Sequence, residues 1–170
     1  YYAWRRQDEF FNARRRPVFE MSADARQHGL NDRALALIER GRVIATAAIH
    51  VGGRLHVVDE AGLITRLDPA GKHHAAQAGF AWDKNGRADT ASLDKVAQYM
   101  ADALLAAIRM RPLPPPLAKL YLTEPIAEYG TIEGVMVSGG VAEYVYGREE
   151  RDFGDMGRRL GQALRKRLDA

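Results

Sequence analysis

The chain has 170 residues, 46% of them hydrophobic, and a formal net charge of +3, which suits one globular domain or one lobe of a larger protein. It contains no cysteine, and this excludes disulfide frameworks, thiolate nucleophiles and zinc–thiolate sites. The longest mostly apolar stretch, VIATAAIHV at 43–51, is far too short to cross a bilayer, and the N-terminal YYAWRRQDEFF lacks the apolar centre of a signal peptide, so the expected compartment is the cytoplasm.

Positive charge gathers at both ends, in Arg5, Arg6, Arg14, Arg15 and Arg16 and again in Arg158, Arg159, Arg165, Lys166 and Arg167. With Tyr1, Tyr2, Trp4, Phe10 and Phe11 beside the first cluster, nucleic-acid binding comes into consideration. The small net charge instead favours solvated helix faces with snorkelling arginines. Residues 1–33 supply no element that can be placed.

From Ala34 the pattern is that of strands. ALALIE and VIATAAIHV flank the turn RGR, and after Gly52 and Gly53 the segment RLHVVDEAGLITRLD repeats the hairpin pattern around a turn at Glu60 to Gly62. Residues 72–89 are polar and punctuated by glycine, which predicts a surface loop. A helix is expected from Ser92 as N-cap, with Leu93, Val96, Ala97, Met100, Leu104, Ala107 and Ile108 forming one apolar stripe. The run RPLPPP at 111–116 ends it. A short β-like run follows at Leu120 to Thr123. A buried strand is then predicted over Gly134 to Ser138, and a final amphipathic helix carries Met156, Leu160, Ala163, Leu164 and Leu168, with Asp155 as its cap. Hairpins followed by helix, strand and helix give an α/β class with a mixed sheet and flanking helices.

The strand at Gly134 to Ser138 ends in Gly139 and Gly140, at the carboxyl-end position where open α/β sheets collect ligands. Without side chains, such residues let a flat or anionic ligand approach the main chain. VSGGV matches neither a phosphate loop nor a dinucleotide fingerprint, and a tight turn alone would also account for it.

The stretch MVSGGVAEYVYGREERDFGDMGRRLGQALRKRL closely resembles a region of the ethanolamine ammonia-lyase reactivating factors, and AIHVGGRLHVVDEAGLITRLDPAGKHHA resembles an earlier region of the same family. The likeness runs from about Ala34 to Ala170. It implies an actin-like, ribonuclease H-like ATPase lobe within a longer protein, of which this chain would be an incomplete fragment. It further implies a chaperone that uses ATP, with magnesium, to release damaged cobalamin from adenosylcobalamin-dependent ethanolamine ammonia-lyase, touching cobalamin only through that partner, in a setting that would allow association with a bacterial microcompartment. By the same likeness Ser138, Gly139, Gly140 and Val141 would contact adenosine, and Gly52 and Gly53 would lie near the phosphates. One departure stands out. The family carries an acidic phosphate loop of the type Asp-Ile-Gly-Gly-Gly-Thr before the strand matching ALALIE, where residues 30–33 here read LNDR. Two other readings stay open, a small-molecule phosphotransferase on the same fold and a degenerate lobe that only binds a partner.

No catalytic residue can be assigned. His50, His56, His73 and His74 lack metal-ligand spacing, so no metal site is expected. Glu143, Glu149, Glu150, Asp152 and Asp155 follow the glycine pair and could serve a base or magnesium, although helix capping and a solvated face explain them as well. Tyr144 and Tyr146 are expected to pack on the sheet. Ser22, Ser92 and Ser138 have no nucleophile-elbow context.

Overall fold

The computed structural model describes residues 18–22, 34–109, 114–127 and 129–169. The N-terminal aromatic and basic cluster and the LNDR segment at 30–33 lie outside the described residues.

In chain order the elements are β1 (Val18–Ser22), β2 (Ala34–Glu39), β3 (Arg42–Ala48), β4 (His56–Val58), β5 (Ile64–Leu67), α1 (Pro69–Gln77), α2 (Thr90–Ile108), α3 (Pro115–Ala118), β6 (Gly134–Ser138), α4 (Gly140–Val145) and α5 (Gly157–Leu168), with a 3-10 turn at Gly53–Leu55 before β4. A four-stranded sheet has the order β3-β2-β1-β6, and β4 and β5 form a separate pair. The larger sheet is mixed, as expected. β2 is antiparallel to both β1 and β3, whereas β1 and β6 are parallel. β1 comes from the stretch the sequence left unplaced, yet it lies between β2 and β6.

The hairpins form where the local chemistry demands them. Arg40 and Gly41 both take positive φ, 51° and 75°, the two-residue turn whose twist matches that of the strands it joins. In the β4–β5 turn, Asp59 Oδ1 accepts from the backbone N–H groups of Ala61 and Leu63 at 2.9 and 2.8 Å.

Side-chain parity sets the core. Leu35 and Leu37 of β2 and Val135 and Val137 of β6 pack with the buried stripe of α2 and with Leu160 and Leu164 of α5 in one cluster. Met136 and Ile38 lie together in a separate patch. α2 and α5 are also joined by two ion pairs, Arg159 to Asp94 and Arg167 to Asp102, each 2.5 Å. Both partners advance by eight residues, so the two helices run in the same direction, and the C-terminal arginines are in part rungs between helices.

Two expectations are corrected. Residues 72–89 are not all loop, because Pro69–Gln77 is helical; Pro69 sits in the first turn, where its missing N–H costs nothing. The buried positions Gly71, His74 and Ala75 are small or polar, so no apolar stripe announces the helix. The cap of α2 is Asp89 rather than Ser92. Its side chain accepts from the Ser92 N–H at 2.7 Å, and Ser92 is itself buried in the first turn. The β-like run at 120–123 contributes a single bridge, Tyr121 to Ile49.

Below α1, His56 is 1% exposed and its Nε2–H donates to the Gly71 carbonyl at 2.8 Å. Trp82 meets its ring edge-on at 5.5 Å, and its Nδ1 is buried without a hydrogen-bond partner. Burial holds the His56 pKa below its ordinary 6.5, against the opposing pull of the Gly71 bond and of Asp68. The unfolded chain therefore binds this proton more readily than the folded one. Stability is full above pH 6.5 and falls as the pH drops below it, by at most about 1.4 kcal/mol per pH unit from this group. Urea midpoints measured between pH 7.5 and 5.5 should show that limb, and His56→Leu should flatten it; equal slopes in both proteins would refute the assignment.

Candidate functional site

The register places both glycine turns at one edge of the sheet. Ser22 pairs with Ser138, and Ala34 pairs with both Ser22 and Ala48, so β1, β3 and β6 all end along that edge. Gly52 and Gly53 follow β3, and Gly139 and Gly140 follow β6.

The two turns also touch. A Cβ on Gly53 would come within 3.0 Å of the Gly157 Cα and 3.6 Å of the Val141 Cγ2. The Gly53 carbonyl accepts from the Met156 N–H at 2.7 Å. Gly53 is thus filled by the chain itself, which joins the start of α4 and the start of α5 to the turn after β3. Gly52 is extended, with φ 177°, a conformation open to any residue.

The β6 turn differs. Gly139 has φ 83°, in the region that favours glycine, and it is exposed together with Gly140. Among the described residues, a Cβ on Gly140 would meet nothing within 4 Å. Packing among the described residues therefore does not explain the second glycine. Ser138 is half-buried and Val141 half-buried beside Gly53. Of the six candidate residues, Gly139 and Gly140 are exposed on the turn, while Gly53 has the geometry of a packing contact.

The acidic cluster serves the segment between α4 and α5. Glu149 is gripped by Arg151, with Nε to Oε1 at 3.0 Å and Nη2 to Oε2 at 2.5 Å, and the hydrogen bonds from Arg151 hold its pKa at about 2. Asp152 Oδ1 accepts from the Gly154 N–H at 2.9 Å, and Asp155 Oδ1 accepts from the Gly157 N–H at 2.8 Å. Asp155 thus satisfies a donor of the first turn of α5 from one residue before the cap, Met156. The Tyr144 hydroxyl donates to the Arg151 carbonyl at 2.8 Å, and the Tyr146 oxygen accepts from the Val137 N–H at 3.0 Å, which places Tyr146 against the sheet as expected. Among the described residues no group of three His, Asp or Glu is arranged to hold a metal ion, and no helix is long and apolar enough to cross a membrane.

Gly157 and Gly161 were not singled out from the sequence. A Cβ on Gly161 would lie 2.5 Å from the Tyr144 Cβ and 3.0 Å from the Val141 oxygen, so α4 rests directly on the α5 backbone. The signal was present as two glycines four residues apart, on one face of a helix.

Mixed sheet, flanking helices and two abutting glycine turns on one strand-end edge define an α/β domain with a candidate ligand edge. The chain belongs to the family of the ethanolamine utilisation protein EutA, whose family profile matches residues 31–170. No curated protein and no solved structure matches it. Membership places the chain in ethanolamine utilisation and fits the reactivating-factor likeness of its two sequence blocks.

Proposed function

We propose that the chain is an actin-like, nucleotide-binding lobe of an ATP-dependent reactivating factor for ethanolamine ammonia-lyase. The observation that carries this reading is the exposed Gly139–Gly140 turn at the strand-end edge, with Gly139 at positive φ and Val141 beside Gly53 of the other turn. Adenosine would lie against Ser138, Gly139, Gly140 and Val141, where no Cβ obstructs the backbone at the glycines. The phosphates would extend toward the Gly52–Gly53 turn, which the chain itself holds in place. No described residue is assigned to magnesium.

The nucleotide supplies binding free energy that can favour one conformation over another. The protein's part is mechanical. α4 carries the adenosine-facing turn and rests on α5, and α5 is tied to α2 by the two ion pairs. A shift of the turn would therefore reach α2 through packed helices. In the proposed cycle, one conformation grips the lyase and opens its cobalamin site, and the other lets go.

The test is to incubate the purified protein with lyase carrying damaged cobalamin, with and without ATP and magnesium, and to measure cobalamin passing a filter that retains protein. Release should require ATP, and lyase activity should return on adding intact coenzyme. ATP turnover driven by a small acceptor without lyase would indicate a phosphotransferase instead. Partner binding with no nucleotide effect would indicate a lobe that only binds.

A further inference from the structure

A half-open pocket of about 340 Å³ lies beside the β3 strand end, lined by His50, Leu55, Asp68 and Pro69 together with Ala70, His73, Lys119 and Leu120. None of the six nucleotide-site candidates lines it, so an inference about it does not rest on the nucleotide reading. The volume falls at the small end of the range for ligand pockets, and such pockets are mostly apolar with a few placed polar groups.

The walls are fixed. The His50 N–H donates to the Leu120 carbonyl at 2.8 Å, the Asp68 N–H donates to the Leu55 carbonyl at 2.9 Å, and the His73 Nε2–H donates to the Pro116 carbonyl at 2.7 Å. These bonds join the strand end, the start of α1 and the α3 segment into one frame, so the cavity is held open by backbone and ring contacts.

The charge count selects the ligand. Asp68 is met by Arg66 through two 3.0 Å bonds, which compensates its carboxylate. Lys119 has no ion-pair partner among the described residues. One uncompensated ammonium suits one negative charge, and a dianion would leave its second charge without a partner. Leu55, Pro69, Ala70 and Leu120 supply an apolar floor. We infer that this cavity binds a small monoanion with an apolar tail, a short-chain carboxylate, with its head at Lys119 and its tail on those four residues.

The probe is hexanoate, titrated into the purified protein and followed by NMR at Leu55, His73 and Leu120. Acetate, hexylamine and inorganic phosphate are titrated in parallel. Hexanoate should give saturable shifts at all three residues, and acetate much weaker ones, because it lacks the tail. Lys119→Met should weaken hexanoate about tenfold, the worth of one charge-assisted bond, while Lys119→Arg should retain it. Lys119 is exposed, so neither variant disturbs the core. Hexylamine binding as tightly as hexanoate would reduce the site to apolar surface, phosphate displacing hexanoate at equal concentration would make it a tail-independent anion site, and unchanged affinity in Lys119→Met would remove the proposed head contact. Any of these overturns the inference.

Discussion

Gly140→Asp is expected to leave the fold as stable as the parent and to weaken nucleotide binding about ten- to a hundredfold, which corresponds to about 1.4 to 2.7 kcal/mol. The two halves of this prediction come from different physics. A Cβ at Gly140 meets nothing within 4 Å, and a carboxylate in the first turn of α4 is favourably placed against the helix dipole. Nothing among the described residues therefore resists the substitution. A ligand seated on the turn would resist it, because the side chain occupies the space the ligand needs and adds a negative charge beside one. Isothermal titration with a non-hydrolysable ATP analogue, together with a thermal melt, separates the two. Unchanged affinity would remove adenosine from this turn. A large fall in melting temperature would mean that the open space is filled in solution by the protein itself.

Gly161→Ala should behave in the opposite way. Its Cβ would lie 2.5 Å from the Tyr144 Cβ, 3.0 Å from the Val141 oxygen and 3.2 Å from the Val145 nitrogen. All three neighbours belong to α4 and none is the flexible end of a side chain, so α4 and α5 must separate. Overpacking of this kind costs about 1 to 3 kcal/mol or more. Alanine recovers up to about 1 kcal/mol through its better helix propensity; contacts this short, two of them to backbone, put the cost at the upper end of that range, which leaves a net loss of about 2 kcal/mol. For a domain of this size that is a fall of about 4 to 8 °C in melting temperature. Because α4 carries the Gly139–Gly140 turn, nucleotide affinity should fall as well. A variant as stable as the parent would show that the two helices do not touch at this point.

The elements that could be read in the sequence are those whose signals are local. The β2–β3 hairpin followed from alternation around Arg40 and Gly41, β6 from an apolar run closed by glycines, and α2 and α5 from stripes at three- and four-residue steps. α1 was missed because it buries Gly71, His74 and Ala75, residues that carry no hydrophobic period. The place of β1 between β2 and β6 depends on pairing over more than a hundred residues with β6, and a five-residue strand has no local mark of that.

The candidate site divided along the same line. The glycine pairs were visible as residues, and the carboxyl-end rule placed Gly139 and Gly140 at an edge suited to ligands. Their contact was not visible. That Gly53 packs on Gly157 while a Cβ on Gly140 would meet none of the described residues is a matter of tertiary approach, and it changes the meaning of two motifs that look alike in the sequence. The carboxylates after the turn follow the capping and solvated-face reading that the sequence offered for them. Glu149 is held by Arg151, and Asp152 and Asp155 bind the backbone of their own segment.

The central claim, that nucleotide lies on the β6 turn, is most directly tested by amide NMR of the purified protein titrated with magnesium-ADP. The account predicts saturable shifts at Gly139, Gly140 and Val141, extending to Gly53. Saturating ADP that leaves those amides unmoved, or moves only residues around His73 and Lys119, would contradict it.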